Sequence, residues 1–324
     1  MELPSFLRQG IDRMLEGVPI AELRHSAELL SRRYRAEMRD GKLHLADEFA
    51  VKAYLATRLP ATYAAIRAAM GGLSEALPEF GPKSLLDIGA GPGSALWAAA
   101  NCWPGLEQAA LVEASTAVRK AGEELMSDAP LPHAQWITAD LAGAFPTLSA
   151  ADLVTIAYVL DELPPAAIGP LVERLWELTA GVLLIVEPGT PAGWGRILEA
   201  RRQLVELGAR LVAPCPHEAP CPLKAPDWCH FARRVARSRL HRLAKLGDVP
   251  WEDEKFIYLT ASRMPAAPPG ARVLAPPRSA TGRVTLKLCH SDGTASELAM
   301  SKREGAVYKQ ARRLDWGDIF LPGR

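Results

Sequence analysis

Four of the five cysteines lie in the C-terminal third of the chain, at Cys215, Cys221, Cys229 and Cys289. The first three share the stretch Cys215-Pro-His-Glu-Ala-Pro-Cys221-Pro-Leu-Lys-Ala-Pro-Asp-Trp-Cys229-His230, and Pro214, Pro216, Pro220, Pro222 and Pro226 punctuate it. Proline fixes φ and disfavours helix for the residue before it, so this segment is expected as a stiff, irregular loop. Thiols fixed in such a loop form a donor set for a metal or a cluster, whereas an isolated residue such as Cys102 reads as buried and inert. The intervals of six, eight and sixty residues contain no short Cys-x2-4-Cys knuckle of the usual zinc ribbon. Dispersed thiolates with the last delivered from a distant strand suit an iron–sulfur cluster better. Tetrahedral zinc on the same cysteines is the competing metal, with His217 and His230 as substitute ligands or, more simply, structural residues. The Cys-x3-Cys-x2-Cys triplet of radical chemistry is absent.

A second constellation lies upstream. In Leu85-Leu86-Asp87-Ile88-Gly89-Ala90-Gly91-Pro92-Gly93 an apolar strand runs into a glycine-rich turn. Glycines let the backbone approach a ligand, and the helix expected over 94–100 offers its free N–H groups there. Asp87 precedes the first glycine by two residues. Glu113 closes the next apolar run, placed to accept hydrogen bonds from ribose hydroxyls, and Asp140 ends a third, placed towards an adenine edge. A dinucleotide-type reading fits less well, because the third glycine comes one residue early and Asp87 has no role in it.

These groups need elements to hold them. Residues 1 to about 75 read as helical, with Leu23, Leu29, Leu30, Val51, Tyr54, Leu55 and Leu59 at helix-like spacing; a helix over 63–70 is expected to stop at Gly71-Gly72. Arg32, Arg33, Arg35 and Arg39 fit a solvated helix face. From about 80 to 190, short apolar strands at 84–88, 108–112, 135–138, 153–157 and 182–186 alternate with helices, which predicts a doubly wound parallel α/β sheet. An arginine-rich helix between 188 and 211 follows, then the cysteine loop, then a basic helix from 230 to 245 with no acidic residue. Beyond Pro265 strands are expected at 272–274, 283–289, 294–300 and 306–308. The expected division is an N-terminal helical region (1–78), a cofactor domain (79–212), a cysteine loop with basic helix and returning strand (213–262), and a small β-rich appendage (263–324).

At 324 residues, 48% hydrophobic and 23% charged, the composition is that of a globular protein, and the net charge of +1 singles out no partner. No apolar run of about 18 residues occurs, and Met1-Glu-Leu-Pro-Ser-Phe lacks the pattern of a secretory signal, so no membrane partner is expected.

Over 80–190 the chain resembles the class I S-adenosylmethionine-dependent methyltransferases, with a Rossmann-like fold, and Asp152-Leu-Val-Thr-Ile-Ala-Tyr-Val-Leu-Asp-Glu-Leu163 is similar to their fourth-strand motif. The resemblance implies that Asp87, Gly89, Ala90, Gly91, Gly93, Glu113, Asp140, Leu141 and Tyr158 hold S-adenosylmethionine. No catalytic residue is identified. Leu160-Asp161-Glu162-Leu163-Pro164-Pro165 lacks the Asn/Asp-Pro-Pro-Tyr pattern of amino-group methylation, and Asp161 and Glu162 are expected to cap the next helix.

Val186-Glu-Pro-Gly189, Cys215-Pro-His-Glu-Ala-Pro-Cys221-Pro, Trp228-Cys229-His230-Phe231, Lys255-Phe-Ile-Tyr-Leu259 and Ala311-Arg-Arg-Leu-Asp-Trp-Gly-Asp318 together resemble one family. It is the methyltransferase-like ribosomal small-subunit assembly family of mitochondria, with bacterial relatives. That resemblance implies a [4Fe–4S] cluster on Cys215, Cys221, Cys229 and Cys289, and association with small-subunit (16S-type) ribosomal RNA during ribosome biogenesis and translation. It implies a bacterial cytoplasmic setting and leaves methyl transfer open. Arg233, Arg234 and Arg237 on the basic helix, with Lys302, Arg303, Lys309, Arg312 and Arg313 on the appendage, would bind RNA phosphates; a monomer is expected. The alternatives are a non-catalytic RNA-binding assembly factor with a vestigial cofactor pocket, and a zinc-containing methyltransferase of a non-RNA substrate.

Overall fold

The computed structural model describes residues 1–36, 44–45, 47–140, 145–265 and 270–321. Four helices come first: α1 (Ser5–Met14), α2 (Ile20–Arg35), α3 (Glu48–Thr57) and α4 (Leu59–Ala76). Alternating strands and helices follow: β1 (Ser84–Ile88), α5 (Ser94–Cys102), β2 (Gln108–Glu113), α6 (Thr116–Met126), β3 (His133–Thr138), β4 (Ala151–Ala157), α7 (Pro165–Glu177) and β5 (Thr179–Pro188). Next come α8 (Pro191–Glu206), β6 (Arg210–Ala213), β7 (Phe231–Ala236), α9 (Arg239–Lys245) and β8 (Trp251–Ser262). The chain ends with β9 (Ala271–Val273), β10 (Arg278–Ala280), β11 (Arg283–Cys289), β12 (Ala295–Ser301), α10 (Ala306–Ala311) and β13 (Ile319–Phe320).

The first sheet runs β3-β2-β1-β4-β5-β8-β6, with β7 also pairing β8. Strands β1 to β5 are parallel, and β8 runs antiparallel to β5, β6 and β7. The doubly wound α/β expectation therefore holds, with an antiparallel edge added. Strands β1, β4 and β5 are apolar because helices cover both faces: Leu153, Val154, Val182, Leu183, Leu184 and Ile185 are fully buried, each contributing about 1.5–3 kcal/mol. Helices α1 to α4 share this core with the sheet. The second sheet, β10-β11-β9-β13 with β12 on β11, closes around its own small core of Val273, Val284, Leu286, Leu288, Met300, Tyr308 and Phe320.

Several elements depart from expectation. Helix α4 does not stop at Gly71-Gly72 but runs to Ala76. A Cβ on Gly72 would lie 2.5 Å from the Tyr258 hydroxyl, so that glycine serves close helix–sheet packing, not termination. Arg233 and Arg234 lie on strand β7, and Arg237 follows it; only α9 is helical in the basic segment. The apolar inward positions Phe231 and Val235 hold β7 on β8. The arginine-rich helix is shorter than 188–211, with Arg210 on β6. Residues 306–308 are helical in α10, not a strand, because a Ser301/Glu304 capping box opens a helical turn just before them.

Candidate functional site

A cleft of about 1090 Å³ opens at the C-terminal ends of the parallel strands, where open α/β sheets bind ligands. Gly89 and Gly91 line it after β1, Glu113 at the end of β2, Asp140 after β3 and Tyr158 after β4. Gly93 has φ +87°, a backbone conformation that favours glycine, and its only close neighbour is the movable end of the Met126 side chain. Gly91 (φ +55°) would meet nothing within 4 Å and leaves the backbone open towards the cleft. The two carboxylate oxygens of Glu113 accept hydrogen bonds from the Gly91 N–H (3.0 Å) and the Ser115 N–H (2.7 Å), which ties the glycine turn to β2. Burial raises the Glu113 pKa while these backbone donors oppose the rise.

Ala90 and Gly93 shape the turn without lining the cleft; the Ala90 N–H donates to the Val112 carbonyl at 2.9 Å. Asp87 does not reach the cleft either. It is buried, and its Oδ1 accepts the Thr155 hydroxyl at 2.6 Å. Leu141 lies outside the described residues.

The cleft contains groups without a local signature. Helix α2 covers it through Arg24, Ala27, Glu28, Ser31, Tyr34 and Arg35, a stripe at helical spacing. Arg58 donates to both oxygens of Glu254 (3.1 and 3.3 Å), and the Tyr158 hydroxyl donates to the same carboxylate at 3.0 Å. Tyr158 is held at φ +58°, costly for a bulky residue and concentrated at functional positions. Arg58 and Glu254 stand 196 residues apart, so only the fold unites them.

Asp161 and Glu162 do not cap the next helix: the N-cap of α7 is Pro164. Glu162 lines the cleft, and burial followed by the neighbouring Asp161 charge pushes its pKa up to about 8. Behind them, fully buried Glu187 accepts from Arg196 Nε (2.5 Å) and the Leu160 N–H (3.2 Å). Its pKa is also pushed up to about 8, by burial first and then by Asp161. The cleft therefore has an acidic wall next to the β4 end.

The residues between β6 and β7 form neither helix nor strand, as the prolines require, and Cys289 ends β11. Cys215, Cys221, Cys229 and Cys289 all line one pocket where the loop meets α8, β8 and β9. Burial raises the pKa of Cys221 and Cys229 and pushes that of Cys289 up to about 12. His217 also lines the pocket, with Nε2 3.4 Å from the Cys289 sulfur. His230 instead stacks on Trp228 and meets Trp316 edge-on. Among the described residues no three His, Cys, Asp or Glu side chains converge closely enough to hold a single metal ion. Four soft thiol donors share this one pocket with the buried cations Arg201 and Arg272, a donor set whose chemistry would suit a thiolate-held group.

The basic residues fall into two sets. Arg233 is exposed on β7, whereas Arg234 pairs with Asp253 (2.9 Å) and Arg237 with Glu252 (3.1 Å). Lys302, Arg303, Lys309, Arg312 and Arg313 are all exposed on one face-forming segment of the appendage, around the turn at 302–304 and α10.

An open, mostly parallel Rossmann-like α/β sheet with a glycine-turn cleft and a separate four-cysteine pocket defines the class of this molecule. Residues 48–321 match the family described as mitochondrial small ribosomal subunit Rsm22, and the chain belongs to that family. The human mitochondrial ribosome assembly protein METTL17 is 29% identical over 287 residues, covering 82% of this chain and 61% of its own. The mitochondrial Rsm22-cox11 tandem protein 2 of Schizosaccharomyces pombe is 23% identical over 327 residues, covering 83% of this chain and 43% of its own. The chain thus spans about half the length of these relatives. Among solved structures, magnesium protoporphyrin IX methyltransferase of Synechocystis PCC 6803 is similar at TM-score 0.38 and 15% identity, over 72% of this chain and 94% of that one. Precorrin-6y C5,15-methyltransferase of Geobacter metallireducens gives TM-score 0.41 and 14% identity, over 60% and 88%. No helix among the described residues is long and apolar enough to cross a membrane.

Proposed function

We propose that this chain is an S-adenosylmethionine-binding ribosome assembly protein that carries an iron–sulfur cluster and docks on small-subunit ribosomal RNA. The observation that carries the reading is the meeting of four cysteines from the loop and β11 in one pocket, in a chain of the Rsm22 family. Cys215, Cys221, Cys229 and Cys289 would each hold one iron of a [4Fe–4S] group. Four thiols dispersed along an irregular loop and a distant strand, with no short Cys-x2-4-Cys knuckle, favour such a group over a zinc ribbon. When bound, the cluster supplies a fixed anchor for the loop.

In the cleft, the Gly89–Gly93 turn would pass close to the methionine part of the cofactor. Glu113 would hold the ribose and Asp140 the adenine side. A cationic sulfonium bound beside Glu162 would favour ionisation of that carboxyl, whose pKa burial pushes up to about 8. Methyl transfer from a sulfonium needs chiefly an acceptor in line, so the walls act by positioning and by excluding water. The functional division we propose is a helical roof (1–78), a cofactor unit (79–212), a cysteine and basic unit (213–262) and an RNA-facing appendage (263–324), acting in the bacterial cytoplasm.

Three measurements on the full chain test this. Anaerobic purification should give a brown protein with a broad band near ~400 nm from thiolate-to-iron charge transfer; a colourless, zinc-loaded protein would refute the cluster. Calorimetric titration should show S-adenosylmethionine binding that Glu113→Gln weakens about 10- to 100-fold, through loss of charge-assisted hydrogen bonds of about 1.5–3 kcal/mol each. Unchanged affinity would remove Glu113 from the site. Incubation with tritiated cofactor and immature small subunits separates transfer from scaffolding: label in RNA marks an enzyme, and binding without label marks an assembly factor.

A further inference from the structure

Two arginines stand inside the cysteine pocket. Arg201 on α8 is 5% exposed and Arg272 on β9 is 2% exposed. Each is anchored by backbone carbonyls. Arg201 Nη2 donates to the carbonyls of His217 (2.8 Å) and Ala219 (2.6 Å), on the segment between Cys215 and Cys221. Arg272 Nε donates to the Pro214 carbonyl (2.9 Å), beside Cys215, and its Nη1 donates to the Gly317 carbonyl (2.6 Å). Arg272 also pairs directly with Cys289 in the β9–β11 register. Each guanidinium keeps one buried nitrogen without a hydrogen-bond partner, Nε of Arg201 and Nη2 of Arg272. Among the described residues neither arginine forms an ion pair with a carboxylate.

A buried guanidinium stays charged, and leaving it without an anion is costly. Carbonyls satisfy part of each guanidinium but supply no net negative charge, so two such cations, each with an orphaned buried nitrogen beside the four cysteines, call for an anionic resident group. Four thiolates on a dipositive four-iron core carry two net negative charges, the number that two arginines balance.

We infer that Arg201 and Arg272 are the counter-charges of the cysteine-bound cluster: positioning residues that hold the ligand loop by its carbonyls and set the group's retention and reduction potential. This rests on the cluster reading above. Reduction adds one negative charge to the cluster, and nearby cations favour that state. Removing a cation therefore lowers the potential.

The test uses the full chain, reconstituted anaerobically with iron and sulfide, as parent and as Arg201→Gln, Arg272→Gln, Arg201→Lys and Arg272→Lys. Iron per chain is measured after desalting, and the midpoint potential by dye-mediated dithionite titration followed by electron paramagnetic resonance. Both Gln variants should retain less iron than the parent, and what remains should titrate at a lower potential; the Lys variants, which keep the charge, should stay close to the parent in potential. Gln variants matching the parent in both readouts would overturn the inference while leaving the cluster intact. Should a Gln variant fail to fold, its Lys counterpart decides: a folded Lys variant whose potential falls as far as charge removal predicts also overturns it. A parent that takes up no iron sinks the cluster reading first and this inference with it.

Discussion

Asp87 occupies the strand that leads into the glycine turn, yet its side chain points into the sheet and accepts the Thr155 hydroxyl. Burial, only partly offset by that hydrogen bond, pushes its pKa up to about 7. A carboxyl whose folded pKa lies above its unfolded value favours the folded state only while protonated. Stability from this site is therefore full below about pH 4 and falls as the pH rises towards 7. Asp87→Asn removes the ionisation and keeps the shape. Unfolding free energy of the variant relative to the parent should rise between pH 4 and 7, by up to about 4 kcal/mol for three pH units at 1.36 kcal/mol each, and level off above. Chemical denaturation across that range checks it, and a pH-independent difference would show that Asp87 ionises freely. The position of Asp87 before the turn was legible in the sequence, but its role was not. A motif names a residue without saying which face of the strand it takes, whereas Glu113, at a strand end, could turn only towards the cleft.

At the scale of elements, the parallel strands were legible because burial on both faces makes them unbroken apolar runs; β1 matches its expected bounds to the residue. Strand β7 was not, because Arg233 and Arg234 face solvent while only Phe231 and Val235 face inward, too short an alternation to stand out from a basic helix. Helix α4 was misjudged because Gly72 looks like a stop until the buried Tyr258 on β8 is brought against it. Gly72→Ala should therefore destabilise the chain by about 1–3 kcal/mol through overpacking. Adding Tyr258→Phe should recover most of the loss, read as coupling in a double-mutant cycle of denaturation midpoints; additive losses would mean that the helix and strand do not touch there. The correction of β7 also divides its arginines. Arg237 pairs with Glu252, a carboxylate it shares with Lys245, while among the described residues Arg233 is exposed and forms no ion pair. If β7 faces RNA, Arg233→Gln should reduce the slope of log affinity against log salt by about 0.7–0.9, and Arg237→Gln by clearly less. Equal slopes for both variants and the parent would place the RNA elsewhere.

Among the described residues there are two apolar cores, a large one under the first sheet and helices and a small one inside the second sheet, and the cysteine pocket lies between the elements that carry them. Cys215 and Cys229 pack on the large core, Cys289 belongs to the second sheet, and Arg272 reaches from β9 to the Pro214 carbonyl. Lys287 on β11 pairs with Asp227 of the loop, and Trp316 closes on His230. This junction was half legible: the cysteine spacing marked four thiols as one set, and they do line one pocket, but it did not show that they would lie between two sheets, nor that α2 would roof a separate cleft. A group bound at the junction, as proposed, would contribute its binding energy to holding the cores together, because the cysteines have no such arrangement in the unfolded chain. The glycine turn, Glu113 and Asp140 lie within the large unit and draw nothing from that contact. Cys221→Ser should then leave exchange protection of β1 to β5 at parental values, while amides of the loop at 214–230 and of β9 and β11 exchange faster. Hydrogen–deuterium exchange on the metal-loaded parent and variant reads both regions at once. Equal metal content and equal protection would refute Cys221 as a ligand, and a uniform loss across both sheets would show that the two cores open as one unit.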